Sequence, residues 1–222
     1  VEFAHQVPME LSWLPWLVLL GLFCGFYSVY YCTVMSRMSR FYMRLRNHWV
    51  RNLIAGGLLA VMIFLFPALY GEGYGFIELV LSGHAGAVTN SSLFTHVTGV
   101  WPILLIFAGM LAVKAFVVAS TNSGGGVAGD FAPTLFAGCL AGFFFASVLN
   151  ELFHIGMPPE DFAYFGMAAV MAAAIRAPLM AIFLTVEIAQ TYMLLFPVVV
   201  VATVSYCVVR VIHPTPAPVP RS

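Results

Sequence analysis

The sequence predicts an all-α, polytopic transmembrane protein that mixes full-length with broken and re-entrant helices. Three observations lead there. Of the 222 residues, 62% are hydrophobic and only 8% charged, whereas soluble domains carry about 25% charged residues. So few charges cannot keep a soluble surface of this size wet. Several apolar runs approach the roughly 20 residues that a straight helix needs to cross a hydrocarbon core. Other apolar runs are shorter and cut by glycine and proline. Their unpaired end N–H and C=O groups are costly against lipid, but are tolerated when buried in protein around a polar cavity, as in transporters.

The first apolar run covers residues 13–34. Pro15 falls in its first turn, where a missing N–H has no helical partner to lose. The second run, 53–70, contains Gly56 and Gly57, and the third and fourth cover 100–120 and 131–149. Residues 162–175, 179–188 and 194–212 complete the set, with one short helix expected over 76–82. Trp13, Trp16 and Trp101 stand near run ends, where aromatic side chains mark the membrane interface. Five of the nine basic residues, Arg37, Arg40, Arg44, Arg46 and Arg51, lie between the first two runs. The excess of arginine puts this connection in the cytoplasm, so the first helix enters from outside and the second returns. Residues 83–99 are polar by the standard of this chain and are expected at a surface. Asn90-Ser91-Ser92 within them fits the glycosylation pattern. The tail, 213–222, alternates proline and is expected to be extended or disordered.

Composition excludes several classes. The formal net charge is zero, so nothing calls for nucleic acid or marks an acidic tail. Cys24, Cys32, Cys139 and Cys207 form no CxxC pair and read as small packing residues. His5, His48, His84, His96, His154 and His213 lack metal-ligand spacing, so no metal and no cofactor are assigned. The start, Val1-Glu2-Phe3-Ala4-His5, lacks an initiator Met and the basic stretch of a signal peptide. The chain is expected to begin within a longer protein.

The chemistry concentrates at Ser123-Gly124-Gly125-Gly126-Val127-Ala128-Gly129-Asp130-Phe131-Ala132-Pro133. A glycine-rich turn opens directly into an apolar helix, whose first N–H groups have no internal acceptors and sit at the positive end of the dipole. Such a terminus binds anions without a formal charge. That suits transport, because amides hold an anion more loosely than a lysine would. A nucleotide P-loop would need a Gly-Lys-Ser/Thr ending, and a dinucleotide fingerprint would need a preceding strand; neither is present. By glycine count alone, a plain helix-breaking turn is the simpler reading.

Gly129-Asp130-Phe131-Ala132-Pro133 resembles the GxFxP motif of CLC chloride channels and chloride/proton antiporters. Other similarities follow in family order. Gly166-Met167-Ala168-Ala169 leading to Ala174-Ile175-Arg176-Ala177-Pro178-Leu179 resembles a later helix pair. Leu184-Thr185-Val186-Glu187-Ile188 with Tyr192 and Leu194-Leu195-Phe196-Pro197 resembles the helices after it. Pro67 with Gly71-Glu72-Gly73-Tyr74-Gly75 resembles the "P…G.G" turn. The resemblance runs from about Leu14 to Ile212. It implies one of two inverted repeats of a CLC-like fold over 1–212, followed by a proline-rich tail, 213–222.

It also implies chloride or a similar anion as ligand, a lipid bilayer as surroundings, and a homodimer. The missing N-terminal half would carry the gating and proton glutamates. The location implied is integral, multi-pass, in the plasma (inner) membrane. The anion-binding amides carried over are those of Asp130 and Phe131, with Gly129, Ala132 and Pro133 as motif support. The family's later tyrosine, whose hydroxyl touches the anion, has no match after Ile212. Asp130 departs from the family, which usually has an apolar residue there. Its carboxylate is expected to cap the helix N-terminus. Arg176 is expected to tie to neighbouring carbonyls or to Glu187, and Lys114 to snorkel or pair. The rival readings are an intramembrane enzyme built on Asp130 or Glu187, and a structural membrane scaffold.

Overall fold

A computed structural model describes residues 13–45, 47–70, 73–83, 100–126 and 129–213. The expectations for 84–99, including Asn90-Ser91-Ser92, and for the tail after His213 lie outside the described residues. Among those described, every regular element is helical. The α-helices are α1 (Leu14–Met43), α2 (His48–Leu65), α3 (Tyr74–Leu81), α4 (Val100–Ser123), α5 (Phe131–Phe153), α6 (Pro159–Ala174), α7 (Pro178–Ala189) and α8 (Leu195–Ile212). Single 3-10 turns, Pro67–Leu69 and Tyr192–Leu194, precede α3 and α8. Five helical segments are long and apolar enough to cross a membrane: α1, α2, α4, α5 and residues 192–212.

The structure corrects the first connection. α1 does not end near residue 34. It continues through Arg37 and Arg40 to Met43, with Arg44 as its C-cap, and α2 begins at His48, so that Arg51 is already helical. Residues 35–43 hold Met, Ser, Arg, Phe and Tyr without glycine or proline, so nothing stops the helix. The Thr33 and Ser36 hydroxyls donate to carbonyls one turn back, and Asn47 caps α2 by accepting the Trp49 N–H at 3.0 Å. The basic residues therefore crown the facing ends of two helices rather than fill a loop. The orientation argument is unchanged, and it predicts a result. A cysteine replacing Met43, which is 60% exposed, in a cysteine-free full-length background should resist an impermeant thiol reagent added outside intact cells. Ready external labelling would reverse the topology.

α1 buries one stripe, Leu17, Leu20, Cys24, Tyr27, Tyr31 and Val34, at the three- and four-residue spacing of a helix face. On α8, Val204 and Val208 press on Gly21 and Gly25, where an added Cβ would lie 2.8 Å and 2.7 Å from their Cβ atoms. The centre is α6, buried continuously from Asp161 to Ala173. Its 16 residues reach only about 24 Å, short of a bilayer core, so its ends must be enclosed by protein. α5 meets it backbone to backbone. A Cβ on Gly138 would lie 2.6 Å from Met167 Cα, and one on Gly166 would lie 2.7 Å from the Gly142 amide nitrogen. Small residues four apart let two helices approach this closely.

Lys114 does not snorkel. It is buried on α4, with Nζ 4.2 Å from the centroid of the Phe136 ring on α5, a cation held by an aromatic face. Phe136 in turn packs at a tilt against Phe76 of α3, centroids 4.6 Å apart, and closes over Gly73, whose φ of +84° suits glycine.

Candidate anion site

The site is the entry of α5. The first helical hydrogen bond runs from the Thr134 N–H to the Asp130 carbonyl, 3.2 Å. The N–H groups before it have no acceptor inside the helix. Pro133, third in the helix, has no N–H to leave unsatisfied, so the free donors of the first turn are the amides of Asp130, Phe131 and Ala132. The buried Thr134 side chain braces this turn, its hydroxyl lying 2.8 Å from both the Asp130 and Phe131 carbonyls. Gly129 and Asp130 are exposed, and nothing stands within 4 Å of the place where a Gly129 Cβ would be. The approach to the amides is therefore open in this chain. The preceding glycines are packed: a Cβ on Gly125 would meet Asn52 of α2 at 2.9 Å, and Gly125 itself has φ +105°.

Asp130 is not a side-chain cap. It occupies the N-cap position with φ −81° and ψ −8° and makes no capping hydrogen bond. Capping needs an extended backbone there, so that the side chain folds back over the first-turn amides; the helical ψ turns it away. Its carboxylate instead accepts a hydrogen bond from Asn122 Nδ2, near the end of α4, at 2.7 Å. The consequence favours a ligand, since the carboxylate consumes none of the free amides.

The break between α6 and α7 is held by contacts with α1 and with the end of α8. Arg176 sits there with φ +62°, a strained value for a side chain this large. Its Nη2 donates to the His213 carbonyl at 2.6 Å. This is the expected tie to a carbonyl, and it fastens the exit of α8 to the α6–α7 junction. Thr33 of α1 and the His213 ring lie 3.4 Å apart. The middle of α1 lies beside this break, with Cys32 Sγ 3.9 Å from the Ala174 carbonyl. Glu187 is elsewhere, exposed near the end of α7. Sequence reasoning missed Asn122 and Thr134. The signal available was a polar side chain inside a strongly apolar run.

The chain is similar in sequence and in fold to known proteins. The model of the family described as voltage gated chloride channel matches residues 1–210. The voltage-gated ClC-type chloride channel ClcB of Escherichia coli (strain SMS-3-5 / SECEC) is 27% identical over 198 residues, covering 87% of this chain and 43% of that protein. The H(+)/Cl(-) exchange transporter ClcA of Vibrio cholerae (serotype O1, strain M66-2) is 29% identical over 197 residues, covering 86% of this chain and 38% of that protein. A crystal structure of a slow cyanobacterial Cl-/H+ antiporter aligns with a TM-score of 0.74 at 23% identity, over 96% of this chain and 47% of that one. The chain spans less than half the length of the relatives it matches. With its all-helical fold and a family match across nearly its whole length, the chain belongs to the voltage gated chloride channel family.

Proposed function

We propose that this chain supplies one repeat, residues 1–212, of a membrane protein that moves chloride as a channel or a chloride/proton antiporter. The anion is held by the backbone amides of Asp130 and Phe131 in a pore completed by a second repeat. The observation that carries the reading is the first turn of α5. Its amides point from a helix N-terminus, no lysine or arginine lies on the turn, and the one carboxylate nearby is engaged by Asn122. Relatives named as a chloride channel and as an exchange transporter support the same class. Plasma (inner) membrane residence fits such a protein.

Assembly as a homodimer has its support in α7, α8 and the 3-10 turn between them, which turn Leu179, Phe183, Met193 and Phe196 outward, each more than half exposed. A self-complementary apolar face of this kind suits a two-fold axis. An intramembrane enzyme would need a proton-transfer partner beside Asp130, and the residue that meets it is an amide.

The test is chloride efflux from liposomes holding the full-length protein, with Asp130→Asn beside the wild type. The wild type should release chloride. The variant keeps the backbone amide and an oxygen to face Asn122, but loses a negative charge near the anion. It should bind chloride several-fold more tightly, a gain of about 1 kcal/mol in a partly wet site. Absence of any protein-dependent efflux would overturn the transport reading.

A further inference from the structure

We propose that the facing ends of α1 and α2 form a binding surface for anionic phospholipid headgroups, whose phosphates the arginines there take up. Arg37, Arg40, Arg44, Arg46 and Arg51 fall between residues 37 and 51, and no aspartate or glutamate occurs between Glu10 and Glu72. The fold supplies no acid either: Arg37, Arg40, Arg44 and Arg51 make no ion pair among the described residues. The first three are exposed, and Arg51 is half-buried with its Nε lacking a hydrogen-bond partner among those residues. Arg40 spends only its Nε–H, on the Ser36 carbonyl at 3.3 Å, which leaves its terminal nitrogens unused. Orienting the chain in a membrane would be served equally by lysine. Every basic residue here is arginine, whose planar fork matches two oxygens of one phosphate.

The depth of these residues names the source of the phosphate. α1 has 30 residues and is about 45 Å long, against a hydrocarbon core of about 30 Å. Trp16 marks one interface, and about 20 residues further on the hydrocarbon ends near Ser36. Arg37 and Arg40 then lie at headgroup depth, with Arg44 at its outer edge. The connection over 44–47 spans at most about 14 Å, so Arg51 in the opening turns of α2 returns to the same level. Large apolar side chains share that level: Phe41 and Met43 of α1 and Trp49 and Leu53 of α2 are each at least half exposed. A soluble phosphate offers these side chains nothing. A phospholipid sets its phosphate against the arginines and its glycerol and upper acyl chains against the apolar groups. The first turn of α2 holds no acidic residue, although the positive end of a helix favours negative charge, so a phosphate meets no repulsion there.

The test uses cysteine-free full-length protein carrying a fluorophore on Met43→Cys, in phosphatidylcholine vesicles to which brominated lipid is added as a contact quencher. Brominated phosphatidylglycerol should quench at a membrane fraction roughly tenfold or more below that needed for brominated phosphatidylcholine. Arg37→Gln, Arg40→Gln and Arg44→Gln together should lose roughly fivefold of that preference per arginine, until the two lipids quench alike. Lysine at the same three positions keeps the charge and should keep most of the preference. Added salt should narrow the preference of the unsubstituted protein. Equal quenching by the two lipids, a preference that survives loss of all three charges, or one indifferent to salt would overturn the assignment. Inorganic phosphate is the remaining arm. It should leave the melting temperature level where phosphatidylglycerol raises it; an equal rise would mean that the surface takes free phosphate and not lipid.

Discussion

Phe131→Pro in the full-length protein should weaken chloride binding roughly ten- to a hundredfold. In the proposed site the ligand is the N–H of Phe131, not its ring. Phe131 is the first residue of α5, a position where proline is accepted because its fixed φ suits the helix and its absent N–H breaks no helical bond. The substitution therefore deletes one donor and leaves the helix standing. A hydrogen bond to a charged group is worth about 1.5–3 kcal/mol, and each 1.4 kcal/mol is about a factor of ten. Proline also pushes the preceding residue toward extended backbone, so Asp130 will shift. Phe131→Ala controls for loss of the ring, keeping the amide and binding within a fewfold of the wild type. Isothermal titration of the three proteins with chloride decides it. Equal affinities would mean that the amide is not a ligand.

The second large effect is on folding. Gly142→Val should destabilise the full-length protein by more than about 3 kcal/mol, the upper end of ordinary overpacking in cores. In most cores a crowded side chain finds another rotamer. At Gly142 the first obstacle is the Phe162 carbonyl of α6, with Ala163 Cα 3.0 Å from the added Cβ. Backbone on both sides cannot move aside without parting the two helices. Gly142→Ala meets the same obstacle with less bulk, so melting temperatures should fall in the order wild type, Ala, Val. A Val variant melting with the wild type would show that α5 and α6 do not pack this closely.

Much of the fold was legible because lipid imposes a simple grammar. Apolar runs of sufficient length had to become helices, and Ala177-Pro178 announced the break that ends α6 and starts α7. The end of α1 was misread for a related reason. A change from apolar to basic residues marks where the hydrocarbon ends, and nothing in it obliges a helix to stop there. Gly138 and Gly142 passed unnoticed because two glycines in an apolar run mark a contact only once the facing helix is known. The site divides along the same line. The proposed donors are backbone atoms at a helix entry, so the turn and Pro133 betray them in the sequence. Asn122 reaches Asp130 through packing between α4 and the start of α5, and a lone polar residue in an apolar run does not say which residue it will meet. Asp130 went wrong on one dihedral angle: the residue type and position were those of a cap, but the helical ψ aimed its carboxylate at Asn122.

The central claim is that an anion sits on the amides at the entry of α5, and bromide substitutes for chloride as an anion visible by anomalous scattering. Crystals of the full-length protein grown in bromide should show an anomalous peak within hydrogen-bonding distance of the Asp130 or Phe131 amide nitrogen. An ordered bromide elsewhere in the membrane region, with none at this turn, would contradict the account.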